Sequence, residues 1–181
     1  SGRRLDLLDP SPLDIEIADI ALGLARVARW NGQTIGEHGF SVAQHVLLVL
    51  DILHIHRPQA PMALQRATLL HDASEYVTSD LITPFKAALG DAYTALEGRV
   101  QAAVHIRFAL PARLPEPWTR AIKRADKLAA FLEATQLAGF AADDARRLIP
   151  YRGRVPDVTL IPWPAARARL EFLARFAGLF P

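Results

Sequence analysis

The chain has 181 residues, of which 51% are hydrophobic and 22% charged, and 21 Lys/Arg against 19 Asp/Glu give a formal net charge of +2. That length suits one well-buried core and is short for two, and no apolar run is long enough to cross a bilayer. The absence of cysteine excludes disulfides and thiolate metal ligands.

No pattern of a secretory signal stands near the start, so the cytoplasm is the expected location. Charge is unevenly spread: residues 1–60 hold 5 Lys/Arg against 7 Asp/Glu, residues 61–120 hold 6 against 6, and residues 121–181 hold 10 against 6. Arg146, Arg147, Arg152, Arg154, Arg167 and Arg169 suit either an anionic ligand or a solvated face. No aromatics are interleaved among them as a single-strand stacking platform needs, and no stable nucleic-acid complex is expected.

Ser11-Pro12 followed by Leu13-Asp14 reads as a capped helix start leading into Ile15, Ile17, Ile20, Leu24 and Val27, with a stop near Arg29. Residues 30–39 contain three glycines and no helical period, so a loop is predicted. Ser41 caps a second helix reaching about Ile55. Arg57-Pro58-Gln59-Ala60-Pro61 breaks it, and a third helix is predicted from about Met62 to Ala73. Thr78 to Pro84 is turn-like, followed by a helix over about 91–109. Prolines 111, 115 and 117 punctuate before a helix over about 118–137. Residues 139–164 read as irregular apart from a turn over 143–148, and a last amphipathic helix covers about 165–177. Without strand-type alternation or repeats, this is an all-α bundle of six or seven helices.

The most informative feature is the adjacent pair His71-Asp72 at the end of an apolar helical run. His45 lies mid-helix among Val42, Val46 and Val49, where an imidazole is either a core residue or a ligand. Asp126 shares a helical face with Ile122, Ala129 and Ala130, so its carboxylate needs either an arginine partner or a cation. Two imidazoles and two carboxylates suit one divalent transition metal, Mn, Fe, Co, Ni or Zn, in a metal-dependent hydrolase. Glu75, three positions after Asp72, fits an acid-base role or a helix-end salt bridge; Asp80 fits the same chemistry or a turn.

His45, His71-Asp72 and Asp126 together resemble the HD-domain phosphohydrolase superfamily. The run His71-Asp72-Ala73-Ser74-Glu75-Tyr76-Val77-Thr78-Ser79-Asp80-Leu81-Ile82-Thr83-Pro84-Phe85-Lys86 is similar to the signature of the YfbR-like 5′-deoxynucleotidases. Arg29-Trp30 resembles that family's Arg-Trp pair, and Lys123-Arg124-Ala125-Asp126 its last motif. The resemblance implies a single HD domain over 1–181, with a motif-bearing core at about 29–133 and a C-terminal helical extension at about 139–181. It implies a metal on His45, His71, Asp72 and Asp126, Glu75 assisting the attacking water, and Arg29 orienting the phosphate. Trp30 would favour deoxyribose, the Asp80-Leu81-Ile82-Thr83 segment would hold the nucleotide, and Asp80 would contact the sugar or transfer a proton. Lys86 would join Arg29 in neutralising phosphoryl charge.

The expected activity is hydrolysis of deoxynucleoside 5′-monophosphates to nucleoside and phosphate. A deoxynucleoside triphosphate triphosphohydrolase using the C-terminal arginines, and a non-enzymatic metal-stabilised nucleotide-binding module, are the alternatives. His38 departs from the family pattern and reads as a surface loop residue or a substrate-facing group. The apolar end Phe172, Phe176, Leu179 and Phe180 fits a homodimer interface or a helix closing its own core.

Overall fold

A computed structural model describes residues 1–151 and 153–181; Arg152, one of the C-terminal arginines noted above, lies outside the described residues. The architecture is all-α, with nine α-helices and no strand among the described residues.

α2 (Val42–His56) is the central element, and α7 (Glu116–Gln136), α3 (Met62–Leu69), α1 (Ile17–Arg26) and α9 (Ala165–Leu179) pack around it. Its sequence explains the position. From Val42 to Leu50 every side chain is buried, so this helix lacks the single apolar stripe of a surface helix. Ser41 caps it as the sequence predicts, its Oγ accepting from the Gln44 N–H at 3.2 Å. α9 closes the core from outside with Phe172 and Leu179, while Phe176 stacks on Phe180 and meets Phe108 edge-on. The C-terminal aromatics thus close the chain's own core.

Three differences from the sequence reading bear on the site. Ser11 caps a single 3-10 turn (Pro12–Asp14), and α1 begins only at Ile17 because Ile15 and Glu16 are extended. The helix expected through Ala73 stops at Leu69. The side-chain amide of Gln101, on α6 (Asp91–Arg107), donates to the Leu70 carbonyl at 2.7 Å and accepts from the Ser74 N–H at 3.0 Å. These are the two groups that an uninterrupted helix would join to each other, so the amide takes the place of that bond and residues 70–74 form a tight turn.

The stretch read as turn-like from Thr78 is partly helical: α4 (Glu75–Thr78) and α5 (Thr83–Leu89) flank a break at Ser79, whose φ is 65°. With α8 (Ala142–Leu148), where a turn was read, these account for the excess over six or seven helices. α4 and α8 bury a single side chain each and α5 none, so no apolar period announces them.

Candidate metal centre and substrate cleft

The turn made by Gln101 projects His71 and Asp72 toward α2, where His45 is fully buried. One donor atom from each of His45, His71 and Asp72 lies within 4.8 Å of the others. The hydrogen bonds behind the two rings settle which nitrogens face this point. His71 Nδ1 donates to the Thr68 carbonyl at 2.8 Å, and His45 Nδ1 lies 2.5 Å from a carboxylate oxygen of Glu133. Carbonyls and carboxylates only accept, so both Nδ1 atoms carry hydrogen and both Nε2 lone pairs point inward. Neither Nε2 has a hydrogen-bond partner although both are buried. Two orphaned imidazole nitrogens beside a carboxylate are a donor set that fits a divalent transition cation.

Asp126 stands outside this trio but beside it, with Oδ1 at 3.2 Å from His45 Nε2. The sequence reading placed its carboxylate inward; it is instead on the rim, its side chain 37% exposed, while Ile122 and Ala129 on the same face are buried.

The charges at this point interlock. Burial alone would raise the Asp72 carboxyl, but His71 and His45 outweigh it and hold the group well below the usual carboxylate range. Burial and Arg29 disfavour a proton on His45, yet Glu133, Asp126 and Asp72 together push its pKa well above the ordinary imidazole value. For His71, burial is likewise overcome, mainly by Asp72. A cation held by the trio would take over from these protons in compensating the acidic groups.

In front of the trio opens a cleft of about 680 Å³. Arg29, Trp30, Asp72, Glu75, Asp80, Leu81, Ile82, Thr83, Lys86 and Asp126 line it, and His45 and His71 group with Asp72, so the structure brings the site residues of the sequence reading to one region. Glu75 is buried, and burial, then Asp72 and Asp80, push its carboxyl up to about 9. Lys86 Nζ lies 3.6 Å from Glu75 and 2.9 Å from Glu97.

Arg29 reaches its position because the loop after α1 returns on itself. The Arg29 N–H donates to the Phe40 carbonyl at 2.7 Å and the Val42 N–H to Val27 at 3.0 Å, around an isolated antiparallel bridge between Ala28 and Ser41. Arg29 then meets Asp80 at 3.1 Å and Glu133 at 3.2 Å. Trp30 is held in a left-handed conformation, φ 56°, by a 3.0 Å hydrogen bond from its indole nitrogen to Glu133 and by its ring against Phe140 at 5.7 Å. Such a backbone costs about 1–2 kcal/mol for a residue with a Cβ, a strain these contacts maintain.

Glu133 is the residue that the sequence reading missed. It is fully buried and joins His45, Arg29 and Trp30; burial is overcome by Arg29 and His45, which bring its carboxyl down to about 2. A signal existed, because Glu133 follows Asp126 by two helical turns and lies among the apolar positions of α7. Phe140, Leu148, Ile149 and Pro150 also line the cleft from the C-terminal segment, where no motif marks them. His38 is half-buried in its loop and is not among the lining residues. Nor, among the described residues, is any of the C-terminal arginines: Arg146 and Arg147 pair with Asp143 and Asp144, and Arg167 lies over the Trp163 ring at 4.4 Å.

An uncharacterized protein of Rhodobacter capsulatus is 55% identical over 93% of this chain and 84% of its own length. The uncharacterized protein YfdR of Escherichia coli K12 is 29% identical over 92% of this chain and 85% of its own length. The family model described as 5′-deoxynucleotidase YfbR-like matches residues 23–140, which run from α1 through α7 and include every residue of the trio, Asp126 and Glu133. The chain belongs to the YfbR-like 5′-deoxynucleotidase family.

Proposed function

We propose that this protein is a divalent-metal-dependent phosphohydrolase that converts deoxynucleoside 5′-monophosphates to nucleoside and phosphate. The observation that carries the reading is the convergence of two orphaned imidazole nitrogens and Asp72 at a cleft that also holds two cations, Arg29 and Lys86, and the buried Glu75. His45, His71, Asp72 and Asp126 hold the metal. When bound, the ion supplies Lewis-acid stabilisation of the phosphoryl charge and acidifies water.

The chain's own residues do the rest. Arg29, kept charged by Glu133 and Asp80, orients the phosphate, and Lys86 offsets its second charge. Glu75, whose carboxyl is held protonated by burial, Asp72 and Asp80, would release that proton to solvent once the charge on Asp72 is compensated, and the carboxylate so formed would accept a proton from the attacking water and return it to the departing 5′-oxygen. Trp30, fixed by Glu133 and Phe140, packs on the sugar and disfavours a 2′-hydroxyl, while Asp80 and the Leu81-Ile82-Thr83 segment hold the nucleotide from the opposite wall.

Monophosphate is favoured over triphosphate because the C-terminal arginines among the described residues stay off the cleft wall. Chromatographic analysis of products from ribo- and deoxynucleoside mono- and triphosphates tests the reading, with Asp72→Ala as control. Nucleoside and phosphate from the deoxynucleoside monophosphates are expected. Release of a polyphosphate from a triphosphate, or full turnover by Asp72→Ala, would overturn it.

A further inference from the structure

A second cleft, of about 510 Å³, shares no lining residue with the first. It lies at the C-terminal end of α2, roughly 16 Å along the helix from His45 at 1.5 Å per residue, and is walled by the first half of α7 and by Gly153 and Arg154. Its lining carries His56, Arg57, Arg120, Arg124 and Arg154 and no carboxylate. Glu116 stands at the edge, paired with Arg120, and is itself exposed.

Helix polarity suits His56 and Arg57, which close α2, but not the arginines that α7 sets opposite them. Arg120 and Arg124 sit in the N-terminal half of α7, where a helix dipole gives cations no stabilisation. Among the described residues, no acidic group is paired with the side chain of Arg57 or of Arg154. The wall is also built closely: a Cβ on Gly153, whose φ is 129°, would come within 3.2 Å of the His56 ring and 3.3 Å of the Arg124 guanidinium. The His56 ring nitrogen donates to the Arg154 carbonyl at 3.1 Å, which ties the loop to α2 and turns a basic surface into a concavity.

We propose that this second cleft binds a small polyphosphate, two or three linked phosphate groups held by arginine forks. The volume is in the range of small-molecule sites, and guanidinium groups match phosphate oxygens two at a time. A phosphate chain is favoured over an extended nucleic-acid strand because the site is concave and offers no aromatic ring beyond His56 for a base to stack on. The same feature makes the site indifferent to the base of a nucleoside triphosphate.

Calorimetric titration of the full chain with inorganic tripolyphosphate in metal-free buffer tests this. One site per chain is expected, with the same affinity in Asp72→Ala and about tenfold or weaker binding in Arg57→Ala/Arg154→Ala. Both arginines are on the surface; Arg57→Lys/Arg154→Lys, which keeps the charge without the fork, is expected to fall between. Purine and pyrimidine nucleoside triphosphates are expected to match tripolyphosphate. Loss of binding in Asp72→Ala would move the ligand to the first cleft and overturn the proposal, as would no binding, or binding unchanged in the alanine pair. Strong preference for one base, or tighter capture of a short oligonucleotide, would overturn the base-blind small-anion site.

Discussion

Nδ1 of His45 lies 2.5 Å from Oε1 of Glu133, a buried contact between α2 and α7, the two helices that pack most extensively in the molecule. One carboxylate therefore fixes the His45 ring and also Arg29 and Trp30, which under the proposed function would hold metal, phosphate and sugar respectively. Partners behind a ligating histidine typically matter for metal affinity by about 10–100-fold. Glu133→Gln, which keeps size but loses charge, is expected to weaken metal binding by about that factor and to lower turnover. Metal titration gives the answer, and an unchanged dissociation constant would remove Glu133 from the role.

Metal removal is expected to lower stability as well as activity. The trio joins α2 to the turn after α3, and an ion bound only to the folded state contributes about 4 kcal/mol at a thousandfold excess over its dissociation constant. Chelator treatment should lower the melting temperature, and Mn, Fe, Co, Ni or Zn should restore it in order of affinity. In Asp72→Ala the chelator should have no effect. A chelator-dependent shift that survives in that variant would point to a different site.

Gln101 satisfies the two backbone groups that its amide separates, so Gln101→Leu leaves the Leu70 carbonyl and the Ser74 N–H without that partner. Each such loss costs about 1–3 kcal/mol. The variant is expected to unfold at lower urea concentration and to lose activity, because residues 70–74 regain the helical path and His71-Asp72 turn away from His45. Wild-type turnover together with wild-type stability would show that another feature makes the turn.

His105 stands behind Gln101, its Nε2 accepting from the Gln101 amide at 2.8 Å and its Nδ1 donating to the Ala112 carbonyl at 3.3 Å. Burial lowers its pKa below the ordinary 6.5, with the Ala112 bond opposing in part. The sign follows directly. Below about pH 6.5 the unfolded chain takes up a proton at this position that the folded chain resists, so stability is full above 6.5 and declines as the pH falls toward the folded value. Protonation would also remove the acceptor that Gln101 uses. Because Glu75, His45 and His71 have raised values and act in the opposite sense over the same range, the measure is the difference between two proteins: in urea titrations from pH 7.5 to 5 the wild type should lose stability relative to His105→Gln as the pH falls, and parallel curves would exclude a contribution from His105.

Gly23 on α1 faces Tyr76 on α4 so closely that a Cβ would stand 2.7 Å from the Tyr76 Cβ and 2.9 Å from its backbone. The obstacle is backbone, so it cannot swing aside. Gly23→Ala is expected to cost about 1–3 kcal/mol by overpacking, and to lower turnover as well, because α4 also carries Glu75. Thermal melts and steady-state kinetics on the same preparation separate this from a simple gain in helix propensity, which would stabilise.

The helices that build the core were legible because their burial leaves a period: the apolar run of α2 and the faces of α7 and α9 are written in residue type. The grouping of His45, His71 and Asp72 was legible for a different reason: the His-Asp pair is a weak sign alone, and it was Asp126 on an apolar helical face and the run over residues 71–86 that gave it context. What escaped was held by long-range polar contacts. Glu133 reads as one more charged residue on a long helix until Arg29, Trp30 and His45, which are 104, 103 and 88 positions away, are brought against it. Gln101 escaped for the same reason, because nothing in its neighbourhood in sequence announces that its amide ends α3. The short helices α4, α5 and α8 escaped because one buried side chain or none leaves no pattern to read.

The walls of the first cleft differ in how firmly they are anchored. One wall carries Asp126 and Ala130 of α7, a helix sunk in the core, whereas α5 supplies Thr83, Pro84 and Lys86 without burying any side chain of its own. A segment with so little apolar burial detaches at a small fraction of the free energy needed to unfold the molecule. The α5 wall is thus more easily displaced than the α7 wall, and the ion pairs from Lys86 to Glu97 and Glu75 are what tie it down.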